Sequence, residues 1–335
     1  MSAVREIGQG RLLIALALLV LLLGVVSLLV GRNPLPLIAA AREALGDNAS
    51  TAALILAEIR LPRALIAALV GASLGLAGAV MQGLLRNPLA SPGLVGSASG
   101  AAFGAVIALY FGLEAVFALA LPAGGMLGSL AAMLLVVALS GRDAGVTTLI
   151  LAGVAINALA LALISLALNL APSPYAMREM VLWMLGSVAD RSMRDFWILL
   201  GPTLLGWLLL AGSGRALDAL TLGEDTAHTL GIDIRRLRWR LFVGVSLCVG
   251  AAVSIAGSIG FVGLVVPHLL RPLVGHQPGR LLSASALGGA ALLLLADIGV
   301  RLFPADTDIR IGVLTSLVGA PFFLYLILKT RRSSL

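Results

Sequence analysis

The sequence predicts an all-α, polytopic membrane protein with about ten transmembrane helices, and three observations carry that prediction. The chain of 335 residues is 60% hydrophobic and only 12% charged. Its mean hydropathy is +1.07. Apolar runs of about 20 residues, the length an α-helix needs to cross a bilayer core of roughly 30 Å, recur from end to end. A soluble domain cannot bury that much apolar surface. Residues 1–335 therefore read as a single transmembrane domain, with no stretch left over for a separate soluble one.

The first run, 12–31, follows Arg5 and Arg11 as a signal peptide would. It is longer than an h-region and lacks an A-x-A-like cleavage site, so it is expected to be a retained span. The second and third runs, 64–85 and 93–112, flank "RNPLASPG". Pro88 and Pro92 cannot donate backbone hydrogen bonds, and they bias Asn87 and Ser91 away from helix. The chain must break there. Irregular backbone at membrane depth is tolerated only where protein surrounds it or a cavity is lined by it, so the break is either a plain inner connector or a piece of a translocation path. Runs 115–139 and 146–171 follow, then 195–212, 241–259, 260–275, 281–300 and 308–329. The narrowest separations are "LEA" after residue 112 and a glycine-containing turn near 259.

With ten spans and the N-terminus inside, fourteen of the 23 basic residues fall on the inner side, in agreement with the positive-inside rule, and the C-terminal "LKTRRSSL" falls there too. Nine outer arginines are a large minority and call for their own explanation. Two connectors exceed a tight turn. The inner one, 212–240, repeats Ala216, Leu217, Leu220, Leu222, Ala227 and Leu230 at roughly helical spacing, which suits short helices on the membrane face. The outer one, 172–195, carries Tyr175 and Trp183, which suit an interface helix. Solvated loops are the alternative for both. Gly71 and Gly75, and Gly96, Gly100 and Gly104, form small-residue ridges that let helix backbones approach closely in lipid.

Several kinds of chemistry are excluded. A single cysteine, Cys248, rules out an intramolecular disulfide and a cysteine-rich metal site, and His228, His268 and His276 have no ligand spacing. The only lysine is Lys329, so the chain holds no P-loop. Any ATP must be bound by another subunit. No carboxylate pair or nucleophile–histidine arrangement is present, and enzymatic chemistry within the chain is not expected. Asp297 is the one acid well inside a span. It reads either as an ion relay or as a structural i,i+4 partner of Arg301, and the spacing favours the pair. His268, beside Pro267, reads as a packing residue. A secondary carrier would be expected to bury more than one ionisable group. A channel has no evident use for the long inner connector.

Beyond these properties, "RLPRALIAALVGASLGLAGAVMQGLLRNPLASPGLVGSASGA", "ILAGVAINAL", "WMLGSVADRS", "LGEDTAHTLGI", "GFVGLVVPHLLR" and "LLLADIGVRLF" followed by "IGVLTSLVGAPFFLYLIL" resemble the permease subunits of type II ATP-binding-cassette importers. That group, FecCD-like, takes up ferric siderophores, haem and vitamin B12, and the likeness covers nearly the whole chain from Arg60 onward. It implies a vitamin-B12-importer-like permease fold and a homodimeric pore in the bacterial inner membrane. It also implies two cytoplasmic ATPase subunits, which carry the ATP and magnesium, and a periplasmic binding protein. No cofactor on this chain and no nucleic-acid partner are expected.

Residue by residue, the likeness places Leu222, Gly223, Glu224, Asp225, Leu230 and Gly231 in the segment that couples to the ATPase. It places Arg60, Arg63 and Arg301 where acidic residues of the binding protein dock, and Asn87 with Leu89, and Val146 with Thr147, in two gates. Arginine suits docking because its planar fork can hold a carboxylate bidentately. The outer connector resembles the iron-chelate and haem branch more than the cobalamin branch. Its Arg178 reads either as a contact for an anionic cargo or as a solvated loop charge.

Overall fold

Glycine-faced helix pairs position everything else in this fold. The computed structural model describes residues 8–31, 43, 50–141, 145–304 and 309–333, which are mostly helical and contain no strand. We label the helices α1 (Gln9–Leu29), α2 (Thr51–Leu84), α3 (Ser97–Tyr110), α4 (Ala120–Ser140), α5 (Val146–Asn169), α6 (Pro174–Met184), α7 (Met193–Leu210), α8 (Gly214–Leu220), α9 (Glu224–Thr229), α10 (Ile234–Ala256), α11 (Val262–Leu270), α12 (Pro278–Arg301) and α13 (Ile311–Ser333). Among the described residues seven helices, α1, α2, α4, α5, α7, α10 and α12, are long and apolar enough to cross a membrane. Three shorter apolar helical segments, Ser97–Tyr110, Val262–Val274 and Ile311–Leu326, stand beside them. Together they coincide with the ten runs of the sequence. Arg5 and Arg142, two of the fourteen basic residues counted on the inner side, and the first residue of the run 308–329 lie outside the described residues.

The two glycine ridges pack as close-approach faces. A β-carbon at Gly71 or Gly75 of α2 would collide with the carbonyl oxygens of Gly289 and Ser285 on α12. One at Gly104 of α3 would collide with the carbonyl of Gly124, and one at Gly128 of α4 with the carbonyl of Gly100. In lipid this backbone proximity replaces the hydrophobic drive that holds helices together in water. Helices α2, α10 and α12 are mostly buried, whereas α1, α4, α5 and α7 leave most of their surface exposed.

Three expectations are corrected. Gly96 does not belong to the ridge: at φ +77° it is the left-handed link between the 3-10 turn Pro92–Val95 and α3. The run 260–275 is α-helical only over the nine residues of α11, about 14 Å at 1.5 Å per residue, with a 3-10 extension at Arg271–Val274. Left-handed Gly257 (φ +71°) and Phe261 (φ +65°) end α10 and restart the chain as α11, at the glycine-containing turn that the sequence places near 259. The inner connector also stops early. Helix α10 begins at Ile234, where the Asp233 side chain accepts from the Arg236 amide as an N-cap, so Arg235, Arg236, Arg238 and Arg240 ride on its first turns.

Candidate functional site

At the outer ends of α1, α2 and α12, Arg60, Arg63 and Arg301 are brought together. The last carbonyls of a helix have no partner within it, and α1 has no basic residue in its own last turn. Arg60 Nη1 donates to the carbonyls of Leu28 (2.8 Å) and Leu29 (2.9 Å). Arg301 Nη1 donates to those of Ser27 (2.8 Å) and Val30 (2.9 Å). Two cations from distant segments thus cap α1, where its dipole favours them. Asp297, fully buried, accepts at Oδ1 from Arg63 Nε at 2.8 Å and at Oδ2 from Arg301 Nη2. The i,i+4 pair is present and has a second cation. Two guanidinium groups hold one carboxylate and Arg60 caps α1 beside them, so the cluster stays net positive although many of its donors face the chain itself.

The outer connector folds as helix α6, with Ser173 as N-cap and Tyr175 well exposed. After α6 the chain is pinned at two points: Ser187 N donates to Ala256 O at 2.7 Å, and Gly312 N donates to Gly186 O at 3.3 Å. A cavity of about 350 Å³ opens beside it, lined among others by Arg178, Trp183, Arg191 and Arg310. Burial pushes the Arg191 guanidinium below its usual value, while Asp195 and then Asp190 hold it up. Burial also raises the Glu114 carboxyl, helped by Glu179 and opposed by Arg191. Arg178 is exposed at the rim.

The stretch "RNPLASPG", which the sequence reads as inner, forms a tight turn followed by a 3-10 turn. Asn87 Oδ1 accepts from the Leu89 amide at 2.9 Å, and Arg86 adopts φ +48°. Val146 and Thr147 open α5. The two stretches meet further along, where a β-carbon at Gly153 of α5 would lie 2.5 Å from Leu94 O and 2.7 Å from Val95 Cα.

The inner connector holds two short helices, α8 and α9. Asp218 of α8 accepts from the Gly279 amide at 2.7 Å, which fixes the start of α12. Helix α9 stands between two glycines with left-handed φ, Gly223 (+109°) and Gly231 (+83°). Leu222 and Leu230 flank it with 67% and 62% of their surface exposed, an unusual placement for leucines on a polar connector. Asp225 is exposed. Glu224, by contrast, turns back: it accepts from Arg238 at 2.8 Å and lies 3.6 Å from Arg86. Sequence reasoning missed Arg86 and Arg238 as partners of the connector. Arg86 carried a signal, being the one charge in the proline-broken stretch; Arg238, fourteen positions from Glu224, carried none. The expected packing role of His268 agrees with its edge-on contact to Phe322, ring centroids 6.1 Å apart.

The FecCD transport family matches residues 18–329. The hemin transport system permease protein HmuU of Yersinia pestis is 43% identical over 281 residues, 82% of this chain and 83% of that protein. The vitamin B12 import system permease protein BtuC of Vibrio cholerae is 43% identical over 279 residues, again 82% and 83%. A solved inward-facing structure of an ABC transporter of the metal-chelate type superposes with a TM-score of 0.85 at 35% identity, covering 96% of this chain and 99% of that one.

Proposed function

The chain belongs to the FecCD transport family and is a multi-pass membrane permease of the ABC importer class; from that premise we propose that it carries an iron chelate, ferric siderophore or haem, from periplasm to cytoplasm through the bacterial inner membrane. It works as a homodimer, with both termini cytoplasmic, two ATP-binding-cassette ATPase subunits below and a periplasmic binding protein above. ATP and magnesium reside on the ATPase, and this chain holds no cofactor. Residues 1–335 act as one transmembrane domain.

The observation that carries the coupling assignment is the inner connector. A short helix between two left-handed glycines, flanked by exposed Leu222 and Leu230, has the form of an element that inserts into a partner. Leu222, Gly223, Glu224, Asp225, Leu230 and Gly231 are accordingly assigned to ATPase coupling. Asn87 and Leu89 are assigned to one gate, on the strength of the broken backbone at residues 86–96, and Val146 and Thr147, which open α5, to a second on the family likeness. Arg60, Arg63 and Arg301 are assigned to docking of the binding protein. Because their donors also serve α1 and Asp297, their contribution is chiefly the field of a net positive cluster, which steers an acidic partner and is screened by salt.

The relatives named for hemin and for vitamin B12 are equally similar, at 43%, so cobalamin is the second reading for the cargo. The basic outer cavity favours an anionic chelate, with Arg178 at its rim. The test is ATP-driven uptake into proteoliposomes holding the permease and its ATPase, with loaded binding protein outside, run separately with haem, a ferric siderophore and cobalamin. Uptake of cobalamin alone would overturn the chelate assignment. Accumulation driven by a proton gradient with the permease alone would replace the importer by a secondary carrier.

A further inference from the structure

Six of the nine outer arginines are not accounted for by the docking cluster, and three of them, Arg178, Arg191 and Arg310, line one cavity of about 350 Å³. Two buried N–H donors on residues lining that cavity, Arg191 Nε and Trp183 Nε1, have no hydrogen-bond partner in the structure. Among the described residues Arg191 makes no ion pair, although Asp190, Asp195 and Glu114 lie close enough to act on it through space. Buried polar groups are nearly always paired, and each exception calls for a physical reason. Both exceptions here are donors.

The scaffold around them is built rather than loose. The loop that carries Arg191 is tied to the end of α10 through Ser187 and to the start of α13 through Gly186, and Val188 between them is fully buried. Arg191 lies two residues before the first residue of α7, and Arg310 immediately precedes α13. The positive ends of two helix dipoles therefore add to the three guanidinium groups. Glu179 and Asp190 also line the cavity. Both are exposed, so water screens them, whereas a ligand acid reaching Arg191 would meet desolvated donors.

We propose that this outer-face cavity is a carboxylate-binding site in which Arg191 and the Trp183 indole N–H receive an acidic group of the cargo, with Arg178 and Arg310 at hand, so that the cargo is a chelate bearing free carboxylates, such as a porphyrin dicarboxylate. The inference rests on the importer reading above and narrows its substrate class. A carboxylate that accepts from a guanidinium or an indole N–H forms charge-assisted hydrogen bonds, which are shorter and stronger than neutral ones. An amide- or ester-capped cargo would forgo them, because it offers no anionic oxygen.

The test is equilibrium binding to the full chain in nanodiscs, with two probes of nearly equal apolar surface: haem and its dimethyl ester. The parent protein is expected to bind the diacid roughly tenfold or more tightly than the diester, the size of one lost charge-assisted contact. Arg191→Gln should abolish that preference, Arg191→Lys should restore part of it, and Trp183→Phe, which removes the N–H and leaves a smaller aromatic ring in its place, should narrow it. Equal affinity of the parent for both probes would overturn the proposal. So would an undiminished preference in both Arg191→Gln and Trp183→Phe. Failure of ATP-driven chelate uptake would count against the importer reading without altering this binding comparison, so the two ideas fail separately.

Discussion

Replacing Asp297 by Asn should destabilise the outer end of the molecule by an amount the geometry allows to be worked out. The carboxylate is fully buried and holds Arg63 at 2.8 Å and Arg301 on its other oxygen. Their side chains are only 18% and 10% exposed. Removing one partner of a buried ion pair leaves an uncompensated charge and costs about 3–5 kcal/mol, a factor of roughly a hundred to a few thousand in the equilibrium. Arg301 keeps its bonds to Ser27 and Val30, which places the loss toward the lower end of that range. With an unfolding entropy of about 2.1 cal/mol/K per residue, a chain of 335 residues would lose about 4–7 °C in midpoint.

The assay is thermal unfolding in nanodiscs for the parent, Asp297→Asn, Arg63→Gln and the double variant. Arg63→Gln should cost less than Asp297→Asn, because the carboxylate retains Arg301. The double variant should lose less than the sum of the singles, because the two residues share one contact. Transport per folded molecule should be retained in Asp297→Asn. A variant with an unchanged midpoint and abolished transport would refute the structural reading and make Asp297 a relay instead.

Three further outcomes are expected. Gly231, at φ +83°, should tolerate β-branched residues poorly: Gly231→Val is expected to leave ATP hydrolysis by the assembled complex unresponsive to loaded binding protein, and a normal response would remove the coupling assignment. Cysteines at Leu89 or Thr147, in a Cys248→Ala background, should cross-link to their symmetry mates with a yield that changes when nucleotide binds; no cross-link at either site in transport-competent protein would make "RNPLASPG" a plain turn. Glu224→Gln should lower the transport yield per ATP by weakening the contacts to Arg86 and Arg238, and Arg238→Gln, at the closer of the two partners, should lower it more than Arg86→Gln; an unchanged yield in all three would remove the role of this contact.

The parts of this molecule that follow from transfer energetics were legible in the sequence. Apolar runs became helices because lipid leaves backbone amides no other partner, and Gly71, Gly75, Gly100 and Gly104 became contact faces because nothing larger fits. The amphipathic spacing of Leu217, Leu220, Ala227 and Leu230 marked two short helices on the inner face. What stayed hidden involves partners chosen across space. Arg60 and Arg301 cap α1 from 31 and 274 positions away, and the sequence carries no trace of that choice. The unpartnered donors of Arg191 and Trp183 depend on how a loop is pinned between α10 and α13. The half-length α11 was hidden for a different reason: the turn near 259 was legible from its glycines, but the passage from α-helix to a 3-10 turn at Arg271–Val274 is a matter of backbone torsion inside what reads as one apolar run.

These two kinds of structure also divide the molecule into parts that hold and parts that can move. Where α2 lies on α12 and α3 on α4, backbones touch through glycine and leave no slack for sliding, since packed interiors transmit displacement rather than absorb it. The segments 86–96 and 257–261 hold left-handed residues, Arg86, Gly96, Gly257 and Phe261, and can change torsion at less cost. Glu224 bridges the two kinds, gripping Arg238 on rigid α10 at 2.8 Å and Arg86 on the turn at 3.6 Å. The first distance is that of a charge-assisted hydrogen bond, and the second is beyond hydrogen-bond range. An ATPase holding Leu222 and Leu230 would therefore move α9 and α10 together, and the change would be felt first at Arg86, one residue from the proposed gate at Asn87.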